Sequence, residues 1–314
     1  MSASQRPLIA IVGPTASGKS ALALRLALAA GGEIVGADSR QLYRGMAIGT
    51  AKPTPEEQAQ LRHWLIDIAD PDEEFSLRRY LDLAQAALAD IWSRGKRAFL
   101  VGGTGQYVWA LLEGWQVPRI PPARELRRSL EERAEREGVE VLYRELAAVD
   151  AQAAVRIDSR NVRRVVRALE VSRLTGEAAS SPQEKLRPEF EPLILAIDRP
   201  RAELYRRIDE RVDRMLEAGL VDEVRRLLES GYSAELPPMS GIGYRQVCAH
   251  LRGEMTLAEV AAKMKTETHR VARMQDTWFR RDDARIHWLD AAGDTFAEAS
   301  RLVECCLTEC RGGL

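Results

Sequence analysis

Eight consecutive residues, Gly13-Pro14-Thr15-Ala16-Ser17-Gly18-Lys19-Ser20, combine two glycines, a lysine and a terminal hydroxyl at fixed spacing. They fit G-x-x-x-x-G-K-[ST], the pattern of a loop that takes nucleotide phosphates. Glycine lets the backbone approach a phosphate without a Cβ in the way. Free N–H groups at a following helix start, with the helix dipole, favour negative charge. Lys19 adds a point charge, and the Ser20 hydroxyl is a candidate ligand for Mg²⁺. A second group is Asp38-Ser39-Arg40-Gln41, in which Asp38 could bind Mg²⁺, cap the next segment or act as a base. A third is Gly102-Gly103-Thr104-Gly105, where Thr104 could donate a hydrogen bond to a phosphate oxygen. It does not match G-x-G-x-x-G, so a dinucleotide site has little support. The loop by itself implies phosphate, not hydrolysis, since a kinase or hydrolase also needs an aspartate holding Mg²⁺. Asp198 ends a strand-like run as a Walker B aspartate does, but it lies beyond a long insertion, and Asp38 is better placed.

These groups need elements to hold them. Residues 8–12 are apolar and β-branched and read as a buried parallel strand. Residues 21–30 are rich in Ala and Leu and read as a helix ended by Gly31-Gly32. Further strands are expected at 33–37, 63–68, 98–101 and, as the last strong one, 193–198. Residues 42–60 hold Gly45, Gly49, Pro53 and Pro55 and read as a loop, with Thr54 opening a helix. Ser76 caps a helix running to Arg94 and stopped by Gly95. In α/β proteins ligands sit at the carboxyl ends of parallel strands. Asp38 therefore lies near the phosphate loop if the strands at 8–12 and 33–37 are neighbours. Pro118, Pro121 and Pro122 mark one break, and Pro182, Pro188 and Pro192 another. Between them the chain is helical and highly charged. The expected fold is α/β, a P-loop-type parallel sheet flanked by helices, with an inserted all-helical subdomain. Residues 1–118 and 191–314 form the core, and 119–190 the insertion.

The chain has 314 residues and a net charge of −1, which excludes a uniformly basic nucleic-acid binder but not a local basic face. The N-terminus enters a strand within a few residues, leaving no room for a signal peptide. No run of about 18 apolar residues suggests a membrane span. Cys248, Cys305, Cys306 and Cys310 lack paired zinc spacings and read as reduced thiols of a cytoplasmic protein. Inside the insertion, Arg156, Arg160, Arg163, Arg164, Arg167 and Arg173 face only Asp158 and Glu170. Such a run is either a solvated helix face or a seat for an anionic partner. Like charges at i, i+4 repel, which favours the partner. Residues 263–285 interleave Lys263, Lys265, Arg270, Arg273, Arg280, Arg281 and Arg285 with His269, Trp278 and Phe279. That mixture suits nucleic acid, where cations hold phosphates and rings stack on bases, and equally a helix with an aromatic core stripe.

Taken together, the motifs resemble the tRNA dimethylallyltransferases, also called tRNA isopentenyltransferases, over nearly the whole length. The match rests on residues 13–20, on Asp38-Ser39-Arg40-Gln41 with Tyr43 and Gly45-Met46, and on Ile48-Gly49-Thr50-Ala51-Lys52-Pro53. Gly102-Gly103-Thr104 with Tyr107, Asn161 with Arg163-Arg164 and Arg167-Ala168-Leu169-Glu170, and Gly243-Tyr244-Arg245-Gln246 complete it. The resemblance implies transfer of a dimethylallyl group from dimethylallyl diphosphate to the exocyclic amine of the adenosine 3′ of the anticodon. That nucleotide must leave its stack to be reached. It implies that residues 13–20 hold the diphosphate, Ser20 positions Mg²⁺, Thr104 bonds the diphosphate near the breaking bond, and Asp38 is the general base. It implies that Asp38, Ser39, Arg40, Gln41 and Thr104 meet the target nucleotide. The anticodon arm of tRNA is then gripped by Arg127, Arg163, Arg164, Arg167, Arg245, Arg270 and Arg273. A monomer is expected.

The chain departs from the bacterial pattern T-R-x-x-A-[KR]-[RK]-Q at residues 268–275, where His269 and Met274 replace basic residues. A C-terminal zinc module of the eukaryotic kind is not expected. Two competitors remain. An adenylate isopentenyltransferase would prenylate free AMP, ADP or ATP, but a small acceptor does not need the arginine-bearing insertion. A P-loop kinase or ATPase would release phosphate from ATP with no prenyl donor present.

Overall fold

A computed structural model describes residues 6–117, 123–176, 178 and 185–312. Six apolar segments become strands: β1 (Arg6–Val12), β2 (Gly32–Gly36), β3 (His63–Trp64), β4 (Arg97–Gly102), β5 (Phe190–Asp198) and β6 (Ile286–Asp290). They form one sheet in the order β3-β2-β4-β1-β5-β6, with every pairing parallel. Successive residues from Leu8 to Val12 are all fully buried, as expected of a central strand covered on both faces. Ile9, Ile11, Phe99 and Leu195 pack with Leu22, Ala23 and Leu26 of helix Lys19–Ala29 and with Ala299 and Val303 of helix Thr295–Gly312. Helices Leu77–Ser93 and Gly105–Leu112 pack against β4 and against each other, burying Tyr80, Leu88, Ile91 and Val108. No helix of the described residues is long and apolar enough to cross a membrane.

Local sequence signals set most boundaries. The Thr54 hydroxyl accepts from Glu57 N at 3.2 Å, and the Glu57 carboxylate accepts from Thr54 N at 2.9 Å, a reciprocal cap for helix Pro55–Gln60. Ser76 accepts from Arg79 N at 3.1 Å to start helix Leu77–Ser93.

Four expectations change. The strands carrying the phosphate loop and Asp38 are not neighbours, because β4 lies between β1 and β2. The strand expected over 63–68 ends at Trp64, since Leu65 and Asp67 take left-handed φ of 64° and 53°. Pro192 does not break the chain but sits inside β5 opposite Leu8. There, β6 does not yet flank the strand, pairing only from Ile194, so a missing N–H is tolerated on the open side. β6 itself was not foreseen, because its half-exposed residues follow a basic stretch that masks the strand pattern. Pro118, Pro121, Pro122 and Pro182 lie outside the described residues, as does the side chain of Cys310.

The chain divides into two compact units, 1–114 with 187–314, and 115–186. In the second unit, helices Arg124–Glu137, Val139–Val149, Ala151–Arg156 and Val162–Thr175 enclose Leu130, Leu142, Leu146, Val165 and Leu169. Amphipathic spacing of these leucines and valines suffices for such a bundle.

At the start of β2, Glu33 is 2% exposed and fully bonded. Its carboxylate accepts from Arg94 at 2.6 and 2.8 Å, from Lys96 at 2.7 Å and from the Trp64 indole at 2.8 Å. The Arg94 hydrogen bonds, above all, hold its pKa down at about 2 against the opposing effect of burial. Native Glu33 therefore binds a proton less readily than the unfolded chain does. Its stabilisation is fully present above about pH 4.5 and is lost as pH falls toward about 2. Glu33→Gln should cost roughly 1.5–3 kcal/mol at neutral pH, the worth of charge-assisted hydrogen bonds. The gap in Tm between the variant and the parent should close as pH is lowered through that window. A gap that stays constant with pH would show that the carboxylate charge contributes nothing.

Candidate active site

The site is assembled at the carboxyl ends of β1, β2, β4 and β5. The phosphate loop leaves β1 at Gly13 and enters helix Lys19–Ala29 through Gly18, whose φ of 104° needs a residue without a Cβ. Ala16 is also left-handed, with φ 62°. Its carbonyl accepts from Arg207 Nε at 2.9 Å, and the Ser17 carbonyl from Arg199 Nε at 3.3 Å. The Thr15 hydroxyl accepts from Arg211 at 3.1 Å. Helix Arg201–Glu217 thus lays Arg207 and Arg211, one turn apart, along the loop.

The charges here are unbalanced. Burial lowers the Lys19 pKa to about 8, with Arg211 acting in the same direction and Asp38 in the opposite one. Arg211 is likewise pushed down, first by burial, with Asp38 again opposing. Ser17 Oγ is fully buried and has no hydrogen-bond partner among the described residues. A desolvated lysine, a desolvated arginine and an orphaned hydroxyl around one loop suit a multivalent oxyanion.

Asp38 reaches this place across β4. Gly102 makes the approach possible: a Cβ there would lie 2.0 Å from the Ala37 carbonyl oxygen. Ala37 N donates to Val101 O at 2.8 Å, and Thr104 N donates to Ala37 O at 3.1 Å. On the Asp38 side, Ser39 N donates to the Thr104 hydroxyl at 3.0 Å, and that hydroxyl donates to Ser39 Oγ at 3.3 Å. Asp38 Oδ1 accepts from Arg40 N at 2.8 Å, which fixes the carboxylate in a tight turn. The phosphate loop, Asp38, Ser39 and Thr104 thus converge.

Arg40 and Gln41 are turned to internal partners. Arg40 donates to the Pro237 carbonyl at 2.9 Å, and Gln41 Nε2 donates to the Thr50 and Ala51 carbonyls at 3.2 and 3.0 Å. Arg245 pairs with Glu267 at 2.7 Å. Arg273 donates to the Tyr205 hydroxyl at 2.9 Å, while Arg270 is exposed. His269 stacks on Tyr205 with centroids 4.1 Å apart and lies 2.9 Å from Asp209. It therefore faces helix Arg201–Glu217, whereas Met274 is 60% exposed. Asp198 is taken up by a bidentate pair with Arg281. In the helical unit, buried Glu170 accepts from Arg127 at 3.1 Å and Arg167 at 2.8 Å. Burial would raise the Glu170 pKa, but these two partners hold it below the ordinary value. Arg163 and Arg164 are exposed.

Five participants were not singled out from sequence, Arg199 just after β5 being one. Arg207 and Arg211 were visible only as part of an amphipathic helix. Gln275 was visible only as the end of a motif. Glu223 gave no signal at all. Its buried carboxylate accepts from Ala47 N at 3.0 Å, Ile48 N at 2.7 Å, Gly49 N at 3.1 Å and the Tyr244 hydroxyl at 2.6 Å. It holds the loop that in turn holds Gln41.

Among the described residues, no three His, Cys, Asp or Glu side chains cluster as a metal-binding set. A Mg²⁺ ion here would need Ser20, which is exposed at the helix start, together with oxygens of the bound anion.

The model of the IPP transferase family matches residues 41–282. This chain belongs to that family. It is 57% identical to the tRNA dimethylallyltransferase of Chloroflexus aurantiacus J-10-fl, over 87% of this chain and 93% of that one. It is 54% identical to that of Roseiflexus sp. RS-1, over 88% and 90%. Among solved structures, the full-length tRNA isopentenylpyrophosphate transferase of Bacillus halodurans is 38% identical, with a TM-score of 0.72 and coverage of 98% and 99%. A eukaryotic dimethylallyltransferase acting on tRNA is 30% identical, with a TM-score of 0.78 and coverage of 91% and 74%.

The state of Lys19 gives a prediction for ligand binding. A bound diphosphate would supply the counter-charge that burial withholds and would raise the Lys19 pKa. A diphosphate monoester, with its own last ionisation near pH 6, should bind with constant affinity only between about pH 7 and about pH 8. Above that it should weaken roughly tenfold per unit, with uptake of one proton. Calorimetry in two buffers of different ionisation enthalpy reads the uptake. No uptake one unit above the Lys19 value would contradict the assignment.

Proposed function

We infer that this chain transfers a dimethylallyl group from dimethylallyl diphosphate to the exocyclic amine of the adenosine 3′ of the anticodon in tRNA. Family membership gives the reaction class. The observation that carries the mechanism is the close approach of Ala37 to Gly102 and the Ser39–Thr104 hydrogen bond, which bring the Asp38 turn to the end of β4, the strand that pairs with β1 and its phosphate loop. A carboxylate beside a cationic loop can serve a proton-bearing nucleophile while the loop takes an anionic leaving group.

The chemistry balances as a displacement. The amine lone pair forms a bond to the allylic carbon, and the carbon–oxygen bond to the diphosphate breaks with its electrons on oxygen. The amine proton passes to the Asp38 carboxylate. An exocyclic adenine amine is a weak nucleophile, so orientation and proton removal both matter. Lys19, Arg211 and the loop N–H groups stabilise charge growing on the leaving group. The Thr104 hydroxyl, held by Ser39, lies at the turn between donor and acceptor sides. Ser20, with oxygens of the diphosphate, would hold a Mg²⁺ ion, which would supply further charge neutralisation. All these groups come from one chain, so a monomer suffices.

The acceptor is read as tRNA rather than a free nucleotide because a separate helical unit presents exposed arginines. Incubation with dimethylallyl diphosphate and either tRNA or AMP, ADP and ATP separates the readings. Mass spectrometry should find isopentenyladenosine in the tRNA digest and no prenylated free nucleotide. Asp38→Ala should lower the transfer rate by roughly 10²–10⁴, the usual worth of a general base, with tRNA affinity kept within about tenfold. Loss of tRNA binding with chemistry intact would remove Asp38 from this role.

The arginines of the helical unit separate into two kinds. Arg163→Ala with Arg164→Ala should weaken tRNA binding and reduce the slope of log affinity against log salt by about one for each phosphate no longer held. Arg167→Ala should instead lower the Tm, because it strips a partner from buried Glu170. An unchanged salt slope in the double variant would make Arg163 and Arg164 a solvated face.

A further inference from the structure

Gln275 lies in the last turn of helix Leu257–Asp276, and both ends of its amide are engaged by backbone. Oε1 accepts from Thr15 N in the phosphate loop at 2.8 Å, and Nε2 donates to the carbonyl of Gly103 at 2.9 Å. One side chain therefore spans the loop that leaves β1 and the turn that leaves β4. Room for it exists only because residue 103 is glycine: a Cβ there would stand 2.4 Å from Nε2. The backbone behind Gln275 is itself fixed. Trp278 N and Phe279 N donate to its carbonyl at 3.0 and 3.1 Å. The Trp109 indole donates to Trp278 O at 2.8 Å, and the Trp278 ring lies against Gly105, where a Cβ would come within 2.1 Å. Helix Gly105–Leu112, which begins one residue after Thr104, thus holds the segment that carries Gln275.

We propose that Gln275 is a positioning residue that sets the distance between the diphosphate loop and the Thr104 turn, and so aligns the leaving group with the acceptor side. It withdraws one loop N–H, that of Thr15, from ligand binding and uses it to register the two glycine turns. It touches neither the reacting carbon nor the base. The proposal rests on the prenyl-transfer reading above and assigns this residue a part in it.

The test is a double-mutant cycle of Gln275→Ala and Gly103→Ala, followed by transfer to tRNA and binding of inorganic pyrophosphate. Transfer by the parent protein in the same assay tests the underlying reading separately. Gln275→Ala should lower kcat by roughly 10–100-fold, the scale of an ångström-size misplacement. Pyrophosphate affinity and the KM for tRNA should stay within about threefold, because the loop and the tRNA surface remain. Gly103→Ala, which displaces the amide, should give the same split. The double variant should be no worse than the poorer single one, since both remove one bridge. Gln275→Glu keeps the acceptor for Thr15 but presents oxygen to the Gly103 carbonyl, and should also lose kcat. Thermal melts check that each variant is folded at the assay temperature. An unchanged kcat in folded Gln275→Ala would overturn the proposal. So would a parallel fall in pyrophosphate affinity, an effect confined to the KM for tRNA, or additive effects in the cycle.

Discussion

A single close approach governs this molecule, that of the Ala37 carbonyl against Gly102. The phosphate loop grows from β1 and the proposed base from β2, and β4 separates them. Two strands so separated lie roughly 10 Å apart, too far for short side chains to work on one substrate unless the intervening strand end is thin. Any Cβ at position 102 would overlap backbone, which cannot move aside as a side-chain tip can. The glycine turn after β4 therefore joins two half-sites instead of dividing them. Thr104 stands at that turn and hydrogen-bonds back to Ser39.

The loop is cationic in a way that local sequence understates. Lys19 alone would be one point charge at a helix start. Helix Arg201–Glu217 adds Arg207 and Arg211, whose guanidinium groups satisfy a loop carbonyl and the Thr15 hydroxyl. Burial depresses both Lys19 and Arg211, and Asp38 only partly compensates. Such a cluster is costly when empty and favourable with a polyanion, as the proposed leaving-group site requires. The same carboxylate that relieves these cations is the proposed base.

Further from the chemistry, buried carboxylates organise loops that carry no regular structure. Glu223 gathers Ala47, Ile48 and Gly49 N–H groups with the Tyr244 hydroxyl. A carboxylate accepting several donors replaces the hydrogen bonds a loop would otherwise make to water. That explains how residues 46–51, without strand or helix, keep Gln41 and hence the Asp38 turn in place. Glu170 does the same inside the helical unit by collecting Arg127, Arg167 and the Ala123 N–H.

The sequence by itself determined the phosphate loop, the parallel α/β class, the helix caps at Thr54 and Ser76 and the helical insertion. These depend on local spacing, on hydrophobic period and on hydrogen bonds within three or four residues of each other. It also placed Asp38 and Thr104 just beyond strand ends, where the proposed chemistry needs them. Only the tertiary structure decided that β4 lies between β1 and β2, that Pro192 sits within β5, and that β6 forms one edge of the sheet. Only it turned Arg40, Arg245, Arg127 and Arg167 toward internal partners and brought Arg211 and Gln275 to the loop from 196 and 260 residues away. The reason is the range of the forces. Propensity and capping act within one or two turns of chain, whereas strand order and the pairing of buried charges are settled by whichever distant groups the packed core brings together.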